Sequence, residues 1–254
     1  MEMTKERIME YSACINGYDI KAHYSEENIN EIFVPLLKRL TKMQKEKDSR
    51  LLVMLAAPPG AGKSTLLDFL EYLSKTTDGV KEIQTIGMDG FHHYQDYLLS
   101  HETVRDGTTI KMVEIKGAPI TFDLKALEDR IRLVASGTNC GWPTYDRNLH
   151  NPVEDALEVT SDIVLLEGNY LLLDEEGWRD LSDYADYTIF ISADEDMLRS
   201  RLIERKAKNT PLEQAKEFVE KSDMRNAIEV LLGSKKADLN LRINSDGEYE
   251  VESG

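Results

Sequence analysis

Ala57-Pro58-Pro59-Gly60-Ala61-Gly62-Lys63-Ser64-Thr65 follows an apolar run at residues 51–57 and leads into Leu66, Leu67, Leu70 and Leu73, which recur on one helix face. A buried strand, a glycine-rich turn and an amphipathic helix form the context in which backbone N–H groups can surround a phosphate. The helix N-terminus adds partial positive charge there. In such a loop Lys63 reaches the outer phosphates and Ser64 offers an oxygen to Mg²⁺. Gly60, Ala61, Gly62, Lys63, Ser64 and Thr65 are therefore the expected nucleotide-binding residues. The strict pattern carries glycine where this chain has Ala57, a departure that relaxed forms of the motif tolerate.

Outward from this loop the same grammar repeats. Apolar runs at 83–88, 163–166, 188–192 and 239–243 are bounded by Gly, Asp or Asn and separated by helix-capable segments. Five short buried-type strands so spaced predict an α/β fold with a mainly parallel sheet and helices on both faces. Helical periodicity recurs at Leu124, Leu127, Ile131 and Val134, and at Met197, Leu198, Leu202 and Ile203. An earlier helix is predicted from Ile32, Phe33, Leu36, Leu37, Leu40 and Met43, with a basic exit read as a solvated helix end. We expect residues 1–34 to form an N-terminal extension and 35–254 the nucleotide-binding domain.

Composition limits the partners. The 254 residues hold 31 Lys+Arg and 47 Asp+Glu, a formal charge of −16. Up to Arg50 the nine basic and nine acidic residues cancel, so the excess belongs to the remainder of the chain. Such a surface disfavours broad binding to nucleic acid or an anionic membrane, both of which need a positive face. A bound nucleotide is not excluded, because salt screens distant charges beyond about 8 Å while Lys63 and the loop amides act at contact distance. Two cysteines, Cys14 and Cys140, make no disulfide framework. With no signal-like N-terminus and no span-length apolar run, the expectation is a cytoplasmic protein.

Several residues then suggest chemistry around a bound nucleotide. Asp89, in Met88-Asp89-Gly90-Phe91-His92, ends the second strand, where residues line the ligand crevice of a parallel sheet. If that strand lies beside the phosphate-loop strand, as we expect, its carboxylate faces the loop as a general base. Asp89 would equally serve to cap a turn with Gly90. Glu167 ends the 163–166 run, placed to hold Mg²⁺ or substrate hydroxyls. Arg201 and Arg205 lie four apart on one helix face and can close over a triphosphate, or simply form a solvated basic surface. A guanine-reading Asn-Lys-x-Asp is absent, and Asp174-Glu175-Glu176-Gly177 is a chance-level match to a switch motif.

In this order the elements resemble the phosphoribulokinase, uridine kinase and pantothenate kinase group, from about Pro35 to Leu241. The resemblance includes Lys116-Gly117-Ala118-Pro119, Pro143-Thr144-Tyr145-Asp146-Arg147, Leu166-Glu167-Gly168-Asn169-Tyr170 and Ser222-Asp223-Met224-Arg225-Asn226-Ala227. The chain is most similar to the branch named for fructose-transport-system or nucleoside-like kinases. What this implies is a P-loop NTPase-like three-layer α/β domain with a five-stranded sheet and a helical lid. It also implies ATP- and Mg²⁺-dependent phosphorylation of a small-molecule hydroxyl on a sugar, nucleoside or pantothenate-like alcohol. By resemblance Lys63, Asp89 and Glu167 are catalytic, and Ser64 and Glu167 hold metal. His92, Tyr145 and Arg147 would then bind the acceptor, and Arg201 and Arg205 form the lid. Gly90-Phe91-His92 departs from the Ser-Phe-Tyr usual in uridine kinases and speaks against a uridine acceptor. The alternative is a nucleotide-binding regulator without acceptor chemistry. For residues 1–31 the expectation is packing or self-association, a homodimer included.

Overall fold

The structure, a computed structural model, describes residues 8–15 and 18–252. A hairpin of β1 (Ile8–Ile15) and β2 (Tyr18–Ser25) precedes α1 (Val34–Lys47), β3 (Leu51–Ala56), α2 (Lys63–Thr76) and β4 (Gln84–Gly87). Then follow α3 (Gln95–Ser100), a small hairpin of β5 (Glu102–Arg105) and β6 (Thr108–Lys111), and α4 (Leu124–Ala135). A longer hairpin of β7 (Cys140–Asp146) and β8 (Asn151–Val159) leads to β9 (Ile163–Gly168) and β10 (Tyr187–Ala193). The chain ends with α5 (Glu195–Ala207), α6 (Leu212–Phe218), α7 (Met224–Gly233), β11 (Leu239–Ile243) and β12 (Tyr249–Val251).

The main sheet runs β12-β11-β10-β3-β9-β4. Its five expected strands are all parallel, and β12 adds a sixth, antiparallel edge on β11. Every residue of β3 is buried, as a central strand covered on both faces requires. The strand period of two splits its side chains: Leu51, Val53 and Leu55 enter a core with α1 and α2, while Leu52, Met54 and Ala56 enter a core with α4. These two cores make the three layers. Apolar faces of α2 and α4 are the leucine-rich ones expected from spacing, and Asp123 caps α4 by accepting the Ala126 N–H at 2.9 Å.

One expectation on strand order fails. β4 pairs with β9 along Gln84 to Gly87, and β9 lies between it and the phosphate-loop strand β3. Strand neighbours in a crossover sheet are set by which helices cover which face, and the local pattern of 83–88 carries no record of that.

Described residues before 34 are built into the larger core. Tyr24 stacks on Phe69 of α2 with ring centroids 4.0 Å apart, and Phe33 is fully buried. The Asn28 side chain bonds both backbone groups of Tyr249, donating to its carbonyl at 2.9 Å and accepting its N–H at 2.7 Å. The basic exit of α1 also differs from a wholly solvated end. Arg50 is 6% exposed and donates to the carbonyls of Ser161 (2.8 Å) and Thr138 (2.7 Å) and to Asn139 Oδ1 (2.6 Å). It ties the start of β3 to the loops that begin β7 and β9. Arg50→Ala leaves buried acceptors unpaired, so unfolding in denaturant should show a loss of about 3 kcal/mol. A loss under about 1 kcal/mol would mean that water replaces the guanidinium freely.

Candidate active site

Between β3 and α2 the chain turns through Gly60 and Gly62, whose φ of 90° and 87° lie in the left-handed region that a side chain strains. The turn brings Lys63 and Ser64 into the first turn of α2, with Thr65 next and Ala61 buried beneath. Strand register supplies the facing carboxylate. Glu167 in β9 stands opposite Leu55 on one side and Gly87 on the other. Ser64 Oγ donates to Glu167 Oε1 at 2.7 Å, and Lys63 Nζ lies 3.6 Å from Oε2. Both members of that ion pair are largely shielded from solvent, with side chains 14% and 16% exposed.

Asp89 sits in a short helical turn, Met88–Phe91, that begins where β4 ends. Gly90 behind it is sterically required, because a Cβ there would come within 2.1 Å of the Pro143 carbonyl oxygen. That close crossing by β7 is clamped by the buried Trp142, whose Nε1 donates to the Gly87 carbonyl at 2.8 Å. It carries Tyr145 and Arg147 to the side of the site where Asp89 lies. A cavity of about 440 Å³ results, lined by Ser64, Asp89, Tyr145, Arg147 and Glu167 among others. His92 lies outside it. Its ring stacks on Phe122 at 3.9 Å and meets Tyr145 edge-on at 5.4 Å, lining a smaller cavity of about 200 Å³.

The two carboxylates are pushed in opposite directions. Burial and the nearby Asp89 charge raise Glu167, against the opposing pull of Lys63 and the Ser64 hydrogen bond. Asp89 is also penalised by burial, but His92 in its charged form, then Lys63, Arg147 and Arg205, more than offset this and hold its carboxyl below the usual range. Burial keeps the His92 ring neutral down to about 4. Asp89 is thus the ionised carboxylate of the pair and Glu167 the one inclined to share a proton. The Tyr145 hydroxyl, pushed up to about 12 by burial, stays protonated.

Arg201 borders the phosphate loop, its Nη1 donating weakly to the Gly60 carbonyl at 3.5 Å. Arg205 is exposed, one turn further along α5, yet still within electrostatic reach of Asp89. Neither lines the 440 Å³ cavity; Arg201 instead borders a separate one with Asp194, Glu195 and Ser200. Residues not singled out from sequence also gather here. Asp68 lines the cavity, and its place four residues after Ser64 on α2, hence on the same face, was the available signal. Cys14 lines it too, from a hairpin whose docking no local pattern announces. Lys116, lowered by burial to about 8, lies 4.9 Å above the Tyr145 ring and donates to Gln95 Oε1 and the His150 carbonyl.

Oxygen donors at Ser64 and Glu167 suit a hard cation. The described residues offer no cluster of three or more His, Cys, Asp or Glu that would hold a metal by themselves. That donor set fits Mg²⁺ carried in with phosphate oxygens rather than a resident metal. No described helix is long and apolar enough to cross a membrane.

Residues 52–240 match the sequence pattern of the phosphoribulokinase/uridine kinase family. The chain belongs to that family. Its relatives include the uncharacterized protein YggC of Escherichia coli, 42% identical over 96% of this chain and 100% of YggC. A proposed uridine kinase of Schizosaccharomyces pombe is 28% identical over 79% of this chain and 84% of its own length. Among solved structures, a proposed fructose transport system kinase from Silicibacter sp. TM1040 superposes with a TM-score of 0.71 at 28% identity. The overlap covers 81% of this chain and 97% of that one. The P-loop kinase fold read from the sequence is therefore the fold observed, and the family is one of small-molecule kinases.

His92 gives this family member a pH signature. Its folded-state value of about 4 lies below the ordinary 6.5, so the native state binds fewer protons than the unfolded chain between these values. Its contribution to stability must fall as pH drops from 6.5 to about 4 and level off below. Melting curves of wild type and His92→Asn across this range should converge toward acid pH. Parallel curves would show the imidazole to be as easily protonated as in the unfolded chain.

Proposed function

We propose that the protein transfers the γ-phosphoryl group of ATP, in the presence of Mg²⁺, to a hydroxyl of a small molecule such as a sugar, a nucleoside or a pantothenate-like alcohol. The observation that carries this reading is that Ser64, Asp89 and Glu167 line one cavity, with Lys63 beside Glu167. The unit responsible is residues 35–254, with 1–34 as an N-terminal extension.

The loop amides and Lys63 hold the outer phosphates, and Ser64 with Glu167 would hold Mg²⁺, which when bound neutralises phosphate charge. The acceptor hydroxyl oxygen forms a bond to the γ-phosphorus while the bond to the β–γ bridging oxygen breaks, its electron pair leaving on ADP. Asp89, held deprotonated and lining the same cavity, takes the hydroxyl proton. Tyr145 and Arg147 orient the acceptor, with His92 supporting the Tyr145 ring from behind. Arg201 and Arg205 come from α5 to offset charge developing on the transferring group.

ADP release should be measured across a panel of sugars, nucleosides and pantothenate-like alcohols. Asp89→Asn keeps size and hydrogen bonding but removes the proton acceptor, so it should bind ATP normally while turnover falls by about 10²–10⁴. Lys63→Ala should lower turnover by about 10²–10³ without loss of fold. ATP binding with no acceptor-dependent ADP release from any compound would instead favour a nucleotide-binding regulator.

A further inference from the structure

The family pattern begins at residue 52, yet the cavity that contains Asp89 is walled in part by a residue far upstream of it, Cys14. Cys14, near the end of β1, lines that cavity together with Asp68 and Leu67 of α2 and Leu157 of β8. The hairpin is fixed there by specific contacts. Tyr11 donates its hydroxyl to Asp68 Oδ2 at 2.6 Å and packs edge-on against Phe69 with centroids 5.0 Å apart. Burial and the Asp68 carboxylate both push the Tyr11 hydroxyl well above its ordinary value, so it remains a donor at any working pH. One oxygen of Asp68 is thereby occupied, and Oδ1 is the one Tyr11 leaves unengaged.

The charges on this wall constrain what can lie against it. Of the cavity's charged side chains, Asp68, Asp89 and Glu167 are anionic, and only Arg147 is cationic. Arg147 acts on Asp89 and Tyr145, at the transfer end. Lys63 is engaged with Glu167 at that same end. Against Asp68, an acceptor's phosphate or carboxylate would meet a like charge, and among the described residues lining the cavity Arg147 alone is cationic, so such ligands are disfavoured there. A hydroxyl there would donate to a carboxylate already oriented by Tyr11, the stronger, charge-assisted kind of hydrogen bond. The cavity, about 440 Å³, is of a size that suits a monosaccharide or nucleoside.

We infer that the N-terminal hairpin is a specificity element of the acceptor site: with Cys14 as part of its wall and Tyr11 positioning Asp68, it selects an uncharged polyhydroxyl acceptor, one hydroxyl at Asp89 and a second at Asp68. This rests on the kinase reading above, with Tyr11 a positioning residue and Asp68 a binding residue.

The test uses the full chain and two matched sets of probes, neutral sugars and nucleosides against sugar phosphates and pantothenate. Neutral probes should be turned over and anionic ones should not. Against the best neutral probe, Asp68→Asn, Tyr11→Phe and the cavity-filling Cys14→Trp should each raise acceptor KM about tenfold or more while leaving ATP KM within twofold. Asp68→Asn should also narrow the gap between neutral and anionic probes. Melting temperatures are recorded in parallel, and Cys14, being exposed, accepts the larger side chain without a folding penalty. Turnover restricted to anionic acceptors, or acceptor KM unmoved by all three substitutions, overturns the inference while leaving the kinase reading intact. If no probe is turned over, calorimetric titration of the same neutral set decides. Binding that Cys14→Trp abolishes sustains the hairpin wall and removes the kinase reading, whereas no binding of any neutral probe overturns the inference.

Discussion

Everything at this site depends on holding the Glu167 carboxylate at the sheet's carboxyl edge, between a lysine and a serine that open a helix. Three neighbouring strands cooperate in this: β3 delivers the phosphate loop, β9 delivers Glu167, and β4 contributes Gly87, which leaves room beside the carboxylate. A buried carboxylate is costly unless its oxygens are engaged, and here one accepts from Ser64 while the other faces Lys63. The arrangement makes the site self-consistent before any nucleotide arrives. It also turns the lysine and serine of the loop toward the carboxylate with which Ser64 is proposed to hold Mg²⁺.

The second constraint is the crossing of β7 over Gly90. It fixes Asp89 against movement and brings Tyr145 and Arg147 into the same space, so the proposed base and the acceptor-orienting groups are positioned by one contact. The resulting field separates the carboxylates, with cations concentrated around Asp89 and burial dominating at Glu167. A chain with a formal charge of −16 thus keeps Lys63, Arg147 and Arg205 within electrostatic reach of Asp89, where distant acidic residues are screened.

How far this was legible in the sequence follows from which signals are local. β3, β9, β10 and β11 are short apolar runs between turn residues, and α2 and α4 carry full helical periodicity, so both kinds of element read directly. The hairpins of β5 with β6 and β7 with β8 do not. β8 exposes six consecutive residues, Val153 through Glu158, and in β5 the apolar Val104 lies on the exposed side at 69%, so neither shows the apolar-in, polar-out order that marks a half-buried strand. The order of the sheet is equally non-local, which is why Asp89 was expected beside β3 when Glu167 intervenes. Arg50 looked like one more residue of a solvated basic end because its partners, at Thr138, Asn139 and Ser161, lie about ninety or more residues away. The wall formed by Cys14 belongs to the same class, a tertiary contact with no local signature.

Lys63, Glu167 and Asp89 are proposed to surround the phosphoryl group being transferred. A crystal structure of the protein with a non-hydrolysable ATP analogue and Mg²⁺ tests it most directly. The terminal phosphate is expected at Lys63, with Ser64 released from Glu167 toward the cation and the Asp89 carboxylate about 5–6 Å from the terminal phosphorus, room for one hydroxyl between them. A triphosphate bound with its terminal phosphorus more than about 10 Å from Asp89, or with Ser64 still bonded to Glu167, would contradict it.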